Sequence, residues 1–174
     1  MDVTHEGVRP DAALGLLELY DEALPHVYGY LLARCRNATL AEDLTAESFL
    51  AAVAAARKPG APEPSVPWLI GVARHKLADH WRRLEREERG LRLLDAPAEP
   101  AADPWDATVD AIRARSVLDG LGPHHRAALT LRYLDGLPVP EVADCLGRTV
   151  HATEALLVRA RTAFRRSYRE EGSP

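Results

Sequence analysis

Residues 94–107 carry three prolines, Pro97, Pro100 and Pro104, with alanines and acids between them and no apolar periodicity. On both sides, apolar residues recur at helical spacing. Such a segment offers no stripe to bury, and its prolines lack backbone donors, so it cannot run through a packed core. The chain is therefore expected to fold as an all-α protein of two small helical domains, 10–93 and 108–168, joined by a flexible Pro/Ala/acidic linker at 94–107. At about 3.3 Å per residue that linker reaches roughly 46 Å, enough to hold two domains on well-separated surfaces.

In the first domain Leu14, Leu17, Tyr20, Leu24, Val27, Tyr28, Leu31, Leu32 and Cys35 recur every three or four residues. This predicts one amphipathic helix, or a helix pair bent near Pro25. Thr39 and Glu42 have the spacing of a capping box, which predicts a helix over 40–56 that its alanines favour. The proline-rich stretch 58–64 ends it. A third helix opens near Pro67, with Leu69, Val72, Ala73, Leu77 and Trp81 on its apolar face. Arg74, His75, Lys76, His80, Arg82 and Arg83 lie elsewhere on it. Trp68 and Trp81 fall on the apolar face and are expected in the core, as is Phe49.

Charge is uneven. Residues 1–56 hold three bases and nine acids, a balance of −6, and 57–92 hold nine bases and five acids, a balance of +4. Residues 93–122 carry −4 and 123–174 carry +2, within a net charge of −4. An acidic chain with two separate basic segments suits docking on a basic partner and touching nucleic acid twice. No apolar run approaches the roughly 20 residues that cross a bilayer, and Asp2 and Glu6 stand where a signal peptide is basic. No membrane insertion is expected, and a cytoplasmic location is. Cys35 and Cys145 are far apart and lie in apolar-periodic segments, where a thiol acts as a small hydrophobe.

The second domain contains the sharpest local motif. Val139, Val142, Ala143 and Leu146 form one helical face, Gly147 suits the left-handed residue at a helix end, and Thr149 suits the N-cap of the next helix. That helix is expected to bury Val150, Thr153, Leu157, Ala160 and Phe164. His151, Ala152, Glu154, Ala155, Arg159, Arg161 and Arg165 then face solvent or DNA. This is the pattern of a helix-turn-helix, whose second helix presents its N-terminal residues to base edges.

Gly120-Leu121-Gly122-Pro123, the run from Ala127 through Asp135-Gly136-Leu137, Glu141-Val142-Ala143, Leu146-Gly147 and Arg159-Ala160-Arg161 together resemble region 4 of bacterial sigma factors of the extracytoplasmic-function group. Ala41-Glu42-Asp43-Leu44-Thr45-Ala46-Glu47-Ser48-Phe49-Leu50 resembles the region 2 helix of that group, and Trp68-Leu69-Ile70-Gly71-Val72-Ala73-Arg74-His75 its promoter-melting helix. The matches occur in the family's order and cover most of residues 14–166.

The resemblance implies a protein without catalytic residues, cofactor or metal that binds RNA polymerase core, directs it to promoters and helps open the DNA. It implies that Asp43 and Glu47, with Glu42, face a basic clamp helix of the largest polymerase subunit; their i, i+4 spacing puts Asp43 and Glu47 on one helix face. It implies melted-promoter contacts from Arg74, His75, Lys76, His80, Arg82 and Arg83. Upstream-element contacts would come from Arg148, Thr149, His151, Ala152, Glu154, Arg159 and Arg161. An inhibitory anti-sigma factor is a further expected partner.

Two departures from the family stand out. The loop 57–67, which in the family selects a flipped base, is proline-rich here and has no aromatic residue. Glu154 and Leu156 occupy positions where members often carry cations, although Leu156 lies about 40° from Ala160 on the helical wheel and can widen the core stripe. A one-component helix-turn-helix regulator and a helical protein-binding adaptor are the alternatives. No H-E-x-x-H, G-x-S-x-G, phosphate-binding glycine loop or metal-spaced His/Cys set points to an enzyme.

Overall fold

A computed structural model describes residues 12–91 and 111–170, so the expected linker at 94–107 lies outside the described residues. The chain divides into two compact units, 1–77 and 78–174. Every regular element among the described residues is helical. None of these helices is long and apolar enough to cross a membrane.

In the first unit, α1 (Ala12–Cys35) packs on α2 (Ala38–Ala56). α1 is one helix that continues through Pro25, not a pair. Its buried stripe is Leu16, Ala23, Val27 and Leu31, facing a stripe of small residues on α2 that includes Ala41, Ser48 and Ala52. The buried hydroxyls of Thr45 and Ser48 donate to the carbonyls of Ala41 and Leu44, both at 2.6 Å, so neither enters the core unpaired. Leu14, Leu17 and Tyr20, expected on the core face, are instead exposed. The apolar arc of α1 is wider than one neighbouring helix can cover.

The turn between α1 and α2 corrects the expected capping box. Arg36 takes the left-handed conformation, φ 50°, and donates its N–H to the Leu32 carbonyl at 2.9 Å. Asn37 then follows in extended conformation, and its Oδ1 accepts the Leu40 N–H at 2.9 Å. Asn37 is therefore the N-cap, and Thr39 already lies inside the helix. Asparagine wins because it stands right after the left-handed residue, where its short amide reaches the free donors. Further along, α3 (Val66–Leu91) starts on Ser65, whose Oγ accepts the Trp68 N–H at 3.4 Å. Its buried stripe includes Leu69, Ala73, Leu77 and Trp81; Trp68 is only half-buried.

The second unit takes in α3 from Ala78 onward, α4 (Ala111–Gly120) and α5 (Pro123–Leu129), which continues as a π-helical turn, Thr130–Leu134. Then come α6 (Val139–Leu146) and α7 (Val150–Glu170), the latter packing on α4, α5 and α6. The π turn closes through the Asp135 N–H on the Thr130 carbonyl at 3.0 Å. Gly147 is left-handed (φ 61°), and the Arg148 N–H reaches back to the Ala143 carbonyl at 2.9 Å. Thr149 Oγ1 accepts the Ala152 N–H at 3.1 Å. The stop and restart of the helix-turn-helix thus fall on the expected residues. Arg113 stacks its guanidinium 4.0 Å over the Tyr168 ring and donates to the Tyr168 carbonyl, tying α4 to the end of α7. Neither cysteine is in a disulfide; Cys145 is buried, and Cys35 is half-buried with its thiol donating to the Leu31 carbonyl at 2.9 Å.

Candidate functional site

Glu42, Asp43 and Glu47 are all exposed on α2, while the neighbouring Leu44, Thr45 and Ser48 are buried. Helical periodicity produces this: residues that face α1 alternate with residues that cannot. Beside the acids lies a groove of about 500 Å³ whose walls include Tyr20, Leu24, Tyr28, Ala46 and Phe49, with Glu42 among its lining residues. Phe49 is thus not core: it is half-buried and meets Tyr20 at a ring-centroid distance of 4.9 Å. Sequence reasoning missed this groove. Its signal was the surplus width of the α1 apolar arc.

Along α3, His75 and Arg83 are exposed, and Lys76, His80 and Arg82 are half-buried. His75 and Arg82, seven apart, share one helix face. Arg82 pairs with Asp79, and an Arg83 guanidinium nitrogen stands 3.2 Å from His80 Nδ1. Arg74, also half-buried, differs from the others in that its Nε is enclosed. It is the least available of the expected cations.

In the helix-turn-helix, His151, Glu154 and Arg159 are exposed, and Ala152 and Arg161 are half-buried. Thr149 is exposed, with its hydroxyl committed to the cap. Val150, expected in the core, is 43% exposed; it is the first residue of α7, immediately after the Thr149 cap. Leu156 is enclosed, at 1% exposure, so its departure from the family pattern extends the core stripe and exposes no new surface. Arg148 is engaged by a carboxylate within the second unit: its Nη2 donates to Glu85 Oε1 at 2.7 Å, and Arg89 donates to the same oxygen at 2.5 Å. Arg161 donates to the Tyr133 hydroxyl at 3.3 Å. Nearby, burial pushes the His124 imidazole below its ordinary value of 6.5; Glu85 opposes that shift, and Arg148 and Arg89 reinforce it.

Among the described residues no group of three or more His, Cys, Asp or Glu side chains is arranged to hold a metal ion. The geometry presents surfaces for binding: an acidic, groove-edged helix face, a cationic helix and a helix-turn-helix. Among the described residues, then, the chain is an all-helical protein with three candidate binding surfaces.

Residues 19–87 match the family described as Sigma-70 region 2, and residues 112–164 match the family described as Sigma-70, region 4. The chain is 34% identical over 151 residues to the ECF RNA polymerase sigma factor BldN of Streptomyces coelicolor, a match covering 82% of this chain and 56% of that protein. It is 30% identical over 148 residues to the RNA polymerase sigma factor CarQ of Myxococcus xanthus, covering 82% of each. It thus spans little more than half the length of the first of these relatives and about four fifths of the second. In fold it is similar to the sigma factor RpoE of Bartonella quintana, solved in complex with the anti-sigma factor NepR, with a TM-score of 0.52 at 20% identity over 88% of this chain and 95% of that one. The chain belongs to the sigma-70 family of RNA polymerase sigma factors, in its extracytoplasmic-function group.

Proposed function

We propose that this protein is the promoter-directing subunit of a bacterial RNA polymerase: it binds the core enzyme, carries it to particular promoters and helps open the duplex. The observation that carries this reading is the order of two surfaces along one chain. An exposed acidic helix face lies in the part matched by sigma region 2, and a capped helix-turn-helix lies in the part matched by region 4. Functionally the chain is read as domains 10–93 and 108–168 with 94–107 between them.

Glu42, Asp43 and Glu47 meet a basic clamp helix of the largest polymerase subunit, where charge complementarity sets encounter rate and register. His75, Lys76, His80, Arg82 and Arg83 hold the backbone of the opened strands, with Arg74 a lesser contributor because it is enclosed. His151, Ala152, Glu154 and Arg159 approach the upstream element, with Arg148, Thr149 and Arg161 at its margins. The protein does no chemistry of its own, needs neither cofactor nor metal, and works in the cytoplasm. A protein inhibitor of the anti-sigma type, like the one bound to the Bartonella relative, restrains it by covering the polymerase-binding face.

Run-off transcription with bacterial core polymerase on genomic promoter fragments tests the reading. Discrete transcripts that require this chain support it. Tight sequence-specific binding by the chain alone, with no transcript, would turn it into a one-component regulator. The double substitution Asp43→Lys with Glu47→Lys should reduce core binding at least about tenfold in a pull-down, because it places like charges against the clamp. Circular dichroism should show the helices retained.

A further inference from the structure

Tyr133 stands on the π-helical turn that precedes the helix-turn-helix and is 46% exposed. π-helical turns are rare, and they recur where a side chain must be aimed differently from what an α-helix allows. Here the turn carries the Tyr133 hydroxyl to the flank of α7, where it accepts from Arg161 Nη1 at 3.3 Å across 28 residues of sequence. The turn itself is braced. Arg132 donates to the Leu137 carbonyl at 3.0 Å, with its guanidinium 5.8 Å from the Tyr133 ring centroid. Two elements therefore bring guanidinium groups to one exposed tyrosine, in a unit whose adjoining helix is read as lying on DNA.

We propose that Tyr133 is a positioning residue for promoter binding: its hydroxyl holds the Arg161 guanidinium at the edge of α7, ready to receive a phosphate of the DNA backbone. A free arginine must give up side-chain freedom when it meets a phosphate, and a tethered one has already done so. Since the contact is to phosphate, Tyr133 strengthens binding on every promoter and selects none. The inference rests on the reading that α7 faces DNA.

The test measures equilibrium binding of holoenzyme, made with the full chain and core polymerase, to a genomic promoter fragment that it transcribes, over a range of salt. Arg161→Ala should weaken binding about tenfold and lower the slope of log affinity against log salt by about 0.9. Arg161→Lys should recover part of the loss. Tyr133→Phe, which keeps the ring, should weaken binding about threefold, equally on unrelated promoters, with unchanged thermal melting. In an Arg161→Ala background the same change should do nothing further. If Arg161→Ala weakens binding but Tyr133→Phe is silent, or costs as much with Arg161 gone as with it present, the positioning role is refuted while α7 on DNA stands. If Arg161→Ala is itself silent, the proposal fails together with the reading that this flank of α7 faces DNA.

Discussion

Glu154 is exposed on α7, four residues after the residue that begins the helix. There it can either accept a hydrogen bond from a cytosine N4 in the major groove or repel phosphate. The burial of Leu156 two residues on shows that the core claims more of this helix than its family pattern suggests, which favours a tolerated charge near the backbone. Glu154→Ala is therefore expected to raise holoenzyme affinity about twofold to fivefold on all promoters, with base preference unchanged. Transcription from a library randomised across the upstream element measures both, and a shift at one base pair would show that Glu154 reads sequence. His124 gives a second residue-level expectation. Burial lowers its pKa in the folded protein, so the unfolded chain takes up the proton first as pH falls. Its contribution to stability is complete above the ordinary value of 6.5 and is lost as pH drops through that value toward the folded one. Urea unfolding of wild type between about pH 7.5 and 5.5 should show a steeper loss of stability than that of His124→Gln.

At the level of elements, the α1–α2 hairpin depends on a short connection in which Arg36 is left-handed and Asn37 caps. Asn37→Ala should cost about 1 kcal/mol in thermal or denaturant unfolding, because the Leu40 N–H loses its acceptor. Thr39→Ala, two residues too late to cap, should stay within about 0.5 kcal/mol. If the two costs were reversed, Thr39 would be the cap in solution. The helix-turn-helix is built from the same kinds of device, with a left-handed glycine and a threonine cap, so its two helices meet at a defined turn. The π turn sets where Tyr133 points and is tied to the segment leading into α6 through the Leu137 N–H on the Leu131 carbonyl at 3.1 Å.

For the molecule as a whole, the net charge of −4 opposes DNA binding even though two segments are basic. Each segment offers only a few phosphate contacts, and several cations are already paired: Arg82 with Asp79, and Arg148 with Glu85. The isolated chain is expected to bind duplex DNA weakly, at about 10⁻⁴ to 10⁻⁶ M at physiological salt, the range of non-specific binding. Adding core polymerase should confer tight, promoter-specific binding in a mobility-shift titration. Nanomolar binding by the chain alone would show that its DNA surfaces need no partner.

What local chemistry alone determined is considerable. Helical type, the glycine stop and threonine cap of the helix-turn-helix, and the buried series Thr153, Leu157, Ala160 and Phe164 depend on residues within a turn or two of one another, so their pattern is written in short windows. The acids of α2 were legible for the same reason, because helical spacing alone puts Asp43 and Glu47 on one face. Tertiary structure decided whatever depends on which neighbour arrives. Leu14 and Leu17 look like core in sequence yet lie exposed, since α2 covers only part of their helix. Phe49 lines a groove, and Asn37 takes the cap from Thr39 once the chain reverses at Arg36. Arg148 meets Glu85 across 63 residues and Arg161 meets Tyr133 across 28. No periodicity encodes such pairs, because their partners are chosen by packing between elements and not by spacing along one.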